Sequence, residues 1–259
     1  MKHALVTGAG ARLGRAMALY LGDRGYDVAV HYNSSSVAAD EVVAALKAKG
    51  QRAVALQADL LDEAATQALL TRAAEALGGP ITCLVNNASI FEYDNISTAT
   101  EESWHRHIGS NLRAPFVLTQ AMAAQNLEAK TDAQGEPFAA GLIVNMLDQR
   151  VRKLTPEFMT YTIGKMGLWA LTQTSAQALA PVIRVNAIGP GPTLKGAKQT
   201  DAHFAGQRAK VILERGANPA DITAALGYFL DAPSVTGQLI CTDGGQRLGW
   251  KTPDVQGLE

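Results

Sequence analysis

The chain has 259 residues, a formal net charge of −1, and 18% charged against 47% apolar residues, a composition that leaves room for a substantial core. That balance gives no electrostatic ground for a nucleic-acid or membrane-surface partner, and no apolar run reaches the roughly 18 residues of a membrane-spanning helix. Cys83 and Cys241 lie far apart inside apolar runs and read as free thiols of a reducing compartment. Met1 leads straight into a strand, without the basic region, apolar core and cleavage site of an export signal, so the expected location is the cytoplasm.

Short β-like runs alternate with longer amphipathic segments, the pattern of βαβ units and a parallel sheet. Residues 3–7 read as the first strand and 11–23 as a helix ending near Gly25; 27–32 form the second strand and 35–49 a helix that Gly50 can cap. The third strand spans 52–58, with a helix over 61–77 closed by Gly78, Gly79 and Pro80; the fourth spans 82–87, with a long helix over 101–127. Residues 128–140 are polar, carry Gly135 and Pro137, and read as a surface loop. Strand five covers 141–147, a helix 158–179, and strand six 183–188, entered from a turn at Pro181. Residues 189–196 cannot be regular structure, and 197–216 are helical but polar, so the region of about 189–217 is a candidate lid. A helix over 219–230 and a strand over 238–242 complete one domain spanning 1–259, with 246–259 as a tail carrying Trp250 and Lys251. Fully apolar strands imply a sheet covered on both faces.

The candidate chemistry centres on Asp148, at the end of the fifth strand, and on Tyr161 and Lys165 in the helix that follows. Four positions apart on a helix, Tyr161 and Lys165 share a face, and an ammonium beside a phenol is expected to lower its pKa from about 10. A proton donor tuned toward neutrality is what a reductase needs when hydride reaches its substrate. At the other end of the cleft, TGAGARLG (residues 7–14) falls where the first strand turns into the first helix, which places N–H groups and the helix dipole at a dinucleotide pyrophosphate. The G-x-G-x-x-G pattern fails there, because Leu13 occupies the third glycine's place, and an ordinary tight turn is the competing reading. The second strand ends in His31, Tyr32, Asn33, Ser34 and Ser35, without the carboxylate that would hold an NAD ribose. Arg12 and these donors suit a 2′-phosphate, so NADP(H) is the expected cofactor; the alternative role of Arg12 is as a surface cation or a substrate contact. Asp59 could accept from the adenine amino group and also serve as a helix N-cap. His105 and His107, two apart on a helix, do not face one another, and no metal site is expected.

TGAGARLG, Asp59, LVNNAS (residues 84–89), Asn111, Tyr161 with Lys165, and IRVNAIGPG (residues 183–191) together resemble the short-chain dehydrogenase/reductases over nearly the whole chain. The resemblance implies a single α/β Rossmann-type doubly wound domain with seven parallel strands in the order 3-2-1-4-5-6-7 and helices on both faces. It implies a proton relay of Asn111, Tyr161 and Lys165, with Lys165 holding the nicotinamide ribose and residues 86–88 supporting the central strand. The cofactor would lie along Gly8, Arg12, Leu13, Gly14, His31, Tyr32, Asn33, Ser34, Asp59, Leu60, Asn87, Ala88, Ser89, Pro190 and Gly191, besides Tyr161 and Lys165. It further implies a homotetramer, with the chain's end packed near a neighbouring subunit.

Two departures from the family pattern are informative. Arg12 stands where the family has glycine, and Asp148 stands thirteen residues before Tyr161, where the family has serine. Both resemble the pteridine reductase and dihydromonapterin reductase branch, as do Phe91 after NNAS and the HYNSS segment (residues 31–35). That similarity implies a substrate site of Arg12, Ser89, Phe91, Asp148, Tyr161 and Pro192, with Phe91 stacked on a pterin. An ionised aspartate accepts hydrogen bonds only and would repel an alkoxide, whereas a ring bearing N–H groups suits it. The plainer alternatives are a turn or cap role for Asp148 and core packing for Phe91. The expected activity is NADPH-dependent reduction of a pterin C=N bond, possible for dihydrofolate too. A carbonyl reductase of 3-oxoacyl thioesters or sugars and a silent nucleotide-binding regulator are the alternatives.

Overall fold

The computed structural model describes residues 2–196 and 199–250. The main strands are β1 (His3–Val6), β2 (Asp27–Tyr32), β3 (Ala53–Gln57), β4 (Cys83–Asn86), β7 (Gly141–Met146), β8 (Ile183–Pro190) and β9 (Leu239–Thr242). They form one seven-stranded parallel sheet in the order β3-β2-β1-β4-β7-β8-β9. Because two short strands, β5 (Lys130–Thr131) and β6 (Pro137–Phe138), intervene in the sequence, this is the expected 3-2-1-4-5-6-7 order under other numbers.

Each strand is apolar on both sides because helices cover both sides. In β1, Ala4 and Val6 face a core built with Met17 and Leu21 of α1 (Arg12–Asp23), Val42 and Leu46 of α2 (Ser36–Ala48), and Phe229 of α8 (Pro219–Asp231). Leu5, between them, faces the opposite core with Leu69 and Leu77 of α3 (Glu63–Leu77), Met122 of α5 (Ala114–Ala123), and Ala176 of α6 (Met159–Leu179). The order reverses between β1 and β4, and the crevice at that switch point is where open α/β sheets bind ligands. A buried polar ladder crosses the sheet beneath it: Asn86 Nδ2 donates to Asn145 Oδ1 at 2.8 Å, and Asn145 Nδ2 donates to Thr172 Oγ1 at 2.9 Å.

Several boundaries differ from expectation. The long helix over 101–127 is α4 (Glu101–Ile108), one wide π turn (Gly109–Arg113) and α5, which ends at Ala123. Pro115 has no N–H to give the ladder, and the Ala114 N–H closes the wide turn on the Gly109 carbonyl. The polar loop holds a small hairpin of β5 with β6, tied by Asp132 Oδ1, which accepts from the N–H groups of Gln134 and Glu136. β8 runs on through Gly189 and Pro190, because β9 pairs with them at Cys241 and Thr242. Among the described residues of the candidate lid, only Asp201–Ala209 (α7) is helical; Ala197, Lys198 and the tail from Lys251 onward lie outside the described residues. Cys83 is buried and Cys241 partly so, and both are free thiols. Among the described residues, no helix is long and apolar enough to cross a membrane.

Candidate active site

The turn after β1 is shaped by backbone constraint. Gly8 is at φ +61°, and its Cα face packs on Ala88, where an added Cβ would meet Ala88 Cα at 3.1 Å. Gly14, one place past the expected third glycine, supplies the close helix–strand approach: a Cβ there would lie 2.2 Å from the Gly8 carbonyl oxygen. Thr7 Oγ1 accepts from the N–H groups of Asn87 and Ala88, both at 2.9 Å, locking β1 to the segment after β4. The N-terminus of α1 has no side-chain cap and no acid in its first turn, and its first residues, Arg12 and Leu13, lie on the cleft wall, so the positive end of the helix is there without a competing anion. That arrangement fits a dinucleotide's phosphates.

Arg12 occupies its glycine-like position at φ +52°, a conformation that costs a non-glycine residue of order 1 kcal/mol. Its guanidinium donates to the carbonyls of Lys195 at 2.9 Å and Leu194 at 3.2 Å on the segment after β8. His31 corrects the sequence reading. It is 1% exposed; Nδ1 accepts from the Gly8 N–H at 3.0 Å, and Nε2 donates to the Ala58 carbonyl at 3.0 Å. Its imidazole is thus a neutral brace under the glycine turn, since β2 is covered on both faces and its side chain turns inward. Tyr32 and Leu60 likewise pack against the cores. Asn33, Ser34 and Asp59 remain exposed at the ends of β2 and β3. Asp59 is not the N-cap of α3: it accepts from the Leu61 N–H in a turn, and Asp62 caps the helix through the Ala65 N–H.

Asp148 follows β7, and α6 delivers Tyr161 and Lys165 against it. The Tyr161 hydroxyl donates to Asp148 Oδ2 at 3.0 Å, and Asp148 Oδ1 accepts from the Arg150 N–H at 2.8 Å. Lys165 Nζ donates to the Met146 carbonyl at 2.7 Å. Burial raises the Asp148 carboxyl above the usual range, against the opposing pull of Arg150, Tyr161 and Lys165. Burial also lowers Lys165 to about 8, with Asp148 resisting. Tyr161 runs contrary to the sequence reading: burial and then the neighbouring Asp148 charge push it well above its ordinary value. The physical reasons are burial, which disfavours the phenolate, and a hydroxyl spent on a carboxylate rather than on the ammonium.

These groups line a cleft of about 1250 Å³. Of the expected residues, Arg12, Leu13, Asn87, Ser89, Phe91, Asp148, Tyr161, Lys165, Pro190, Gly191 and Pro192 lie on its wall. Gly8, Gly14, Ala88 and Asn111 do not. Asn111 is fully buried in the π turn, and its carboxamide is used at both ends on Ile90, accepting from the N–H at 3.0 Å and donating to the carbonyl at 2.9 Å. Its side chain therefore pins the loop after β4 instead of meeting Tyr161. Phe91 is not core: it is 54% exposed and stacks on Phe158 with centroids 4.3 Å apart and planes 9° apart. Tyr161 meets Phe91 edge-on at 4.7 Å, Tyr93 meets Phe158 at 5.2 Å, and the Arg150 guanidinium lies 4.9 Å from the Phe158 centroid.

Sequence reasoning passed over Gln149, Arg150, Phe158, and Phe204 on α7, all of which line the cleft. Gln149 had a signal, being polar beside Asp148; it is 7% exposed, and its Oε1 is buried without a hydrogen-bond partner. His105 and His107 have separate partners, Glu101 and Thr160, and no cluster of metal-ligating residues occurs among the described residues.

Comparison with known proteins gives consistent results. The family model described as short chain dehydrogenase matches residues 2–204. The crystal structure of FolM alternative dihydrofolate reductase 1 from Brucella suis in complex with NADP is 39% identical, with a TM-score of 0.90 and 98% of each chain covered. Its counterpart from Brucella canis, complexed with NADP, is 38% identical at a TM-score of 0.89, covering 99% of this chain and 98% of that one. The 3-oxoacyl-[acyl-carrier-protein] reductase of Staphylococcus aureus is 32% identical over 94% of this chain and 97% of its own length.

Proposed function

The chain belongs to the short-chain dehydrogenase family, and on that premise we propose that it is an NADPH-dependent reductase of a dihydropterin C=N bond. One observation carries the reading: a carboxylate, Asp148, receives the Tyr161 hydroxyl at 3.0 Å on the cleft wall. An alkoxide forming at that place would meet the ionised carboxylate as a like charge, whereas a ring nitrogen suits both forms of Asp148, donating to the carboxylate and taking a proton from the acid. The flat Phe91–Phe158 stack beside it suits a planar heterocycle, and the similarity to the Brucella FolM structures supports the same class.

The uncapped start of α1, the glycine turn and Arg12 would hold the cofactor phosphates; the exposed donors of Asn33 and Ser34, with no acid at the end of β2, favour a 2′-phosphate. NADPH, when bound, supplies the hydride. Asp148, raised by burial, passes a proton to the ring nitrogen as the adjacent carbon gains hydride, so that C=N becomes CH–NH. Tyr161, held protonated against Oδ2, orients the carboxyl, solvent entering the open cleft returns its proton, and Lys165 steadies the pair from the Met146 carbonyl.

A second reading, ketone reduction on a 3-oxoacyl thioester, is favoured by the similarity to the Staphylococcus aureus reductase. The test is purified protein with NADPH and, separately, dihydrobiopterin, dihydromonapterin, dihydrofolate and an acetoacetyl thioester, followed by nicotinamide absorbance. Turnover of a pterin is expected, faster with NADPH than with NADH. Turnover of the thioester alone would refute the proposal.

A further inference from the structure

Tyr161 and Lys165 ride on α6, yet α6 does not cap itself. Its N-cap residue, Phe158, is at φ +56° and makes no side-chain capping bond. The free N–H groups of its first turn are met by Asp94, a residue 66 positions before Thr160. The Asp94 main-chain carbonyl accepts from the N–H groups of Phe158 at 2.8 Å and Met159 at 3.4 Å. Asp94 Oδ1 accepts from the Thr160 N–H at 3.1 Å, and Oδ2 accepts from the hydroxyls of Thr160 and of Ser103, the latter at 3.1 Å.

The chain of bonds has a fixed direction. Since the Thr160 hydroxyl donates to Asp94, its oxygen accepts from His107 Nδ1 at 2.7 Å, and His107 Nε2 accepts from the Glu92 N–H at 3.1 Å. Asp94, Thr160 and His107 are 2%, 3% and 0% exposed, and none of them lines the cleft. What they join does line it. The Asp94 loop carries Phe91 and Tyr93, both packed on Phe158, and Phe158 is the residue on which α6 begins. One buried carboxylate thus ties the loop that makes the aromatic wall to the helix end that presents Tyr161.

We propose that Asp94, acting through Thr160 and His107, is the positioning residue that sets the aromatic wall against the Tyr161 hydroxyl and so determines how a flat substrate lies at the proton donor. The proposal deepens the reductase reading and rests on it for its kinetic readout. Thr160→Val keeps the shape and the N–H bond to Asp94 Oδ1 but removes the hydroxyl link; Thr160→Ser restores the link. With dihydropterin and NADPH, Thr160→Val raises KM for the pterin about tenfold, the scale of a lost buried hydrogen bond. kcat stays within about threefold and NADPH affinity by fluorescence titration is unchanged, while Thr160→Ser behaves as the parent. An unaltered pterin KM in folded Thr160→Val, or pterin KM and NADPH affinity worsening together as in general loosening, overturns the proposal.

A second readout needs no substrate. Crystal structures of the parent and Thr160→Val should show the Phe91–Tyr161 centroid separation, 4.7 Å here, lengthened in the variant; an unmoved wall overturns the proposal. If the parent turns over no pterin, the functional reading has failed, and this structural comparison still decides the positioning role.

Discussion

Replacing Asp148 by asparagine separates the chemistry of the carboxylate from its shape. The Tyr161 oxygen and Asp148 Oδ2 are 3.0 Å apart, and Tyr161 is 5% exposed. A phenolate forming against an ionised carboxylate at that distance meets a repulsion of about 5 kcal/mol at an effective dielectric of about 20. The neutral carboxamide of Asp148→Asn would remove that repulsion while keeping an oxygen for the Arg150 N–H, so the Tyr161 pKa falls toward its ordinary value. The variant also has no proton to deliver, and general acid catalysis of this kind contributes about 10²–10⁴ in rate. Ultraviolet titration of the tyrosinate band should therefore show one tyrosine ionising at lower pH in Asp148→Asn than in the parent. Over the same preparations, kcat/KM for dihydropterin should drop by about two orders of magnitude or more. An unshifted tyrosinate titration together with undiminished pterin turnover would refute the assigned role.

Two further outcomes follow from the same geometry. Phe158→Leu removes the ring stacked on Phe91 and the platform under Arg150. Loss of about 0.5–1.5 kcal/mol of aromatic contact should raise pterin KM roughly three- to tenfold, with NADPH affinity by equilibrium titration unchanged. His31 and His107 are both buried, and burial lowers the pKa of each, opposed by the Ala58 carbonyl for His31 and the Asp94 charge for His107. Folded pKa values below the unfolded value of about 6.5 mean that unfolding takes up protons on acidification. Stability from these groups is complete above about pH 6.5 and declines as pH falls from there through the folded values. Asp148, raised by burial, acts in the opposite sense on acidification, so the measurement is made on Asp148→Asn: its urea midpoints across pH 7 to 5 should fall, and a midpoint that holds or rises would contradict the buried neutral assignment.

The sheet order was legible because βαβ alternation survives in local composition: runs such as VAV in β2 and LIV in β7 are apolar on both faces only where helices cover both. The hairpin of β5 and β6 was not, since strands of two exposed residues leave no periodic trace. The π turn at Gly109–Arg113 was hidden because one wide turn hardly disturbs helical periodicity. Side-chain direction set the limit at the site. Asp148, Tyr161 and Lys165 were found by spacing, but spacing did not show that the phenol hydrogen-bonds to the carboxylate. His31 looked like a donor at a strand end, and only the coverage of β2 on both faces turned it inward. Phe158 carried no mark of its left-handed backbone, which depends on a carbonyl offered by Asp94 from far along the chain.

Arg12 stitches the glycine turn to the carbonyls of Leu194 and Lys195 on the opposite bank of the cleft. On the proposed function, a cofactor phosphate that drew on the same guanidinium would compete with those carbonyls for its protons. The residue that makes this tether is also the one whose backbone is left-handed, at φ +52°.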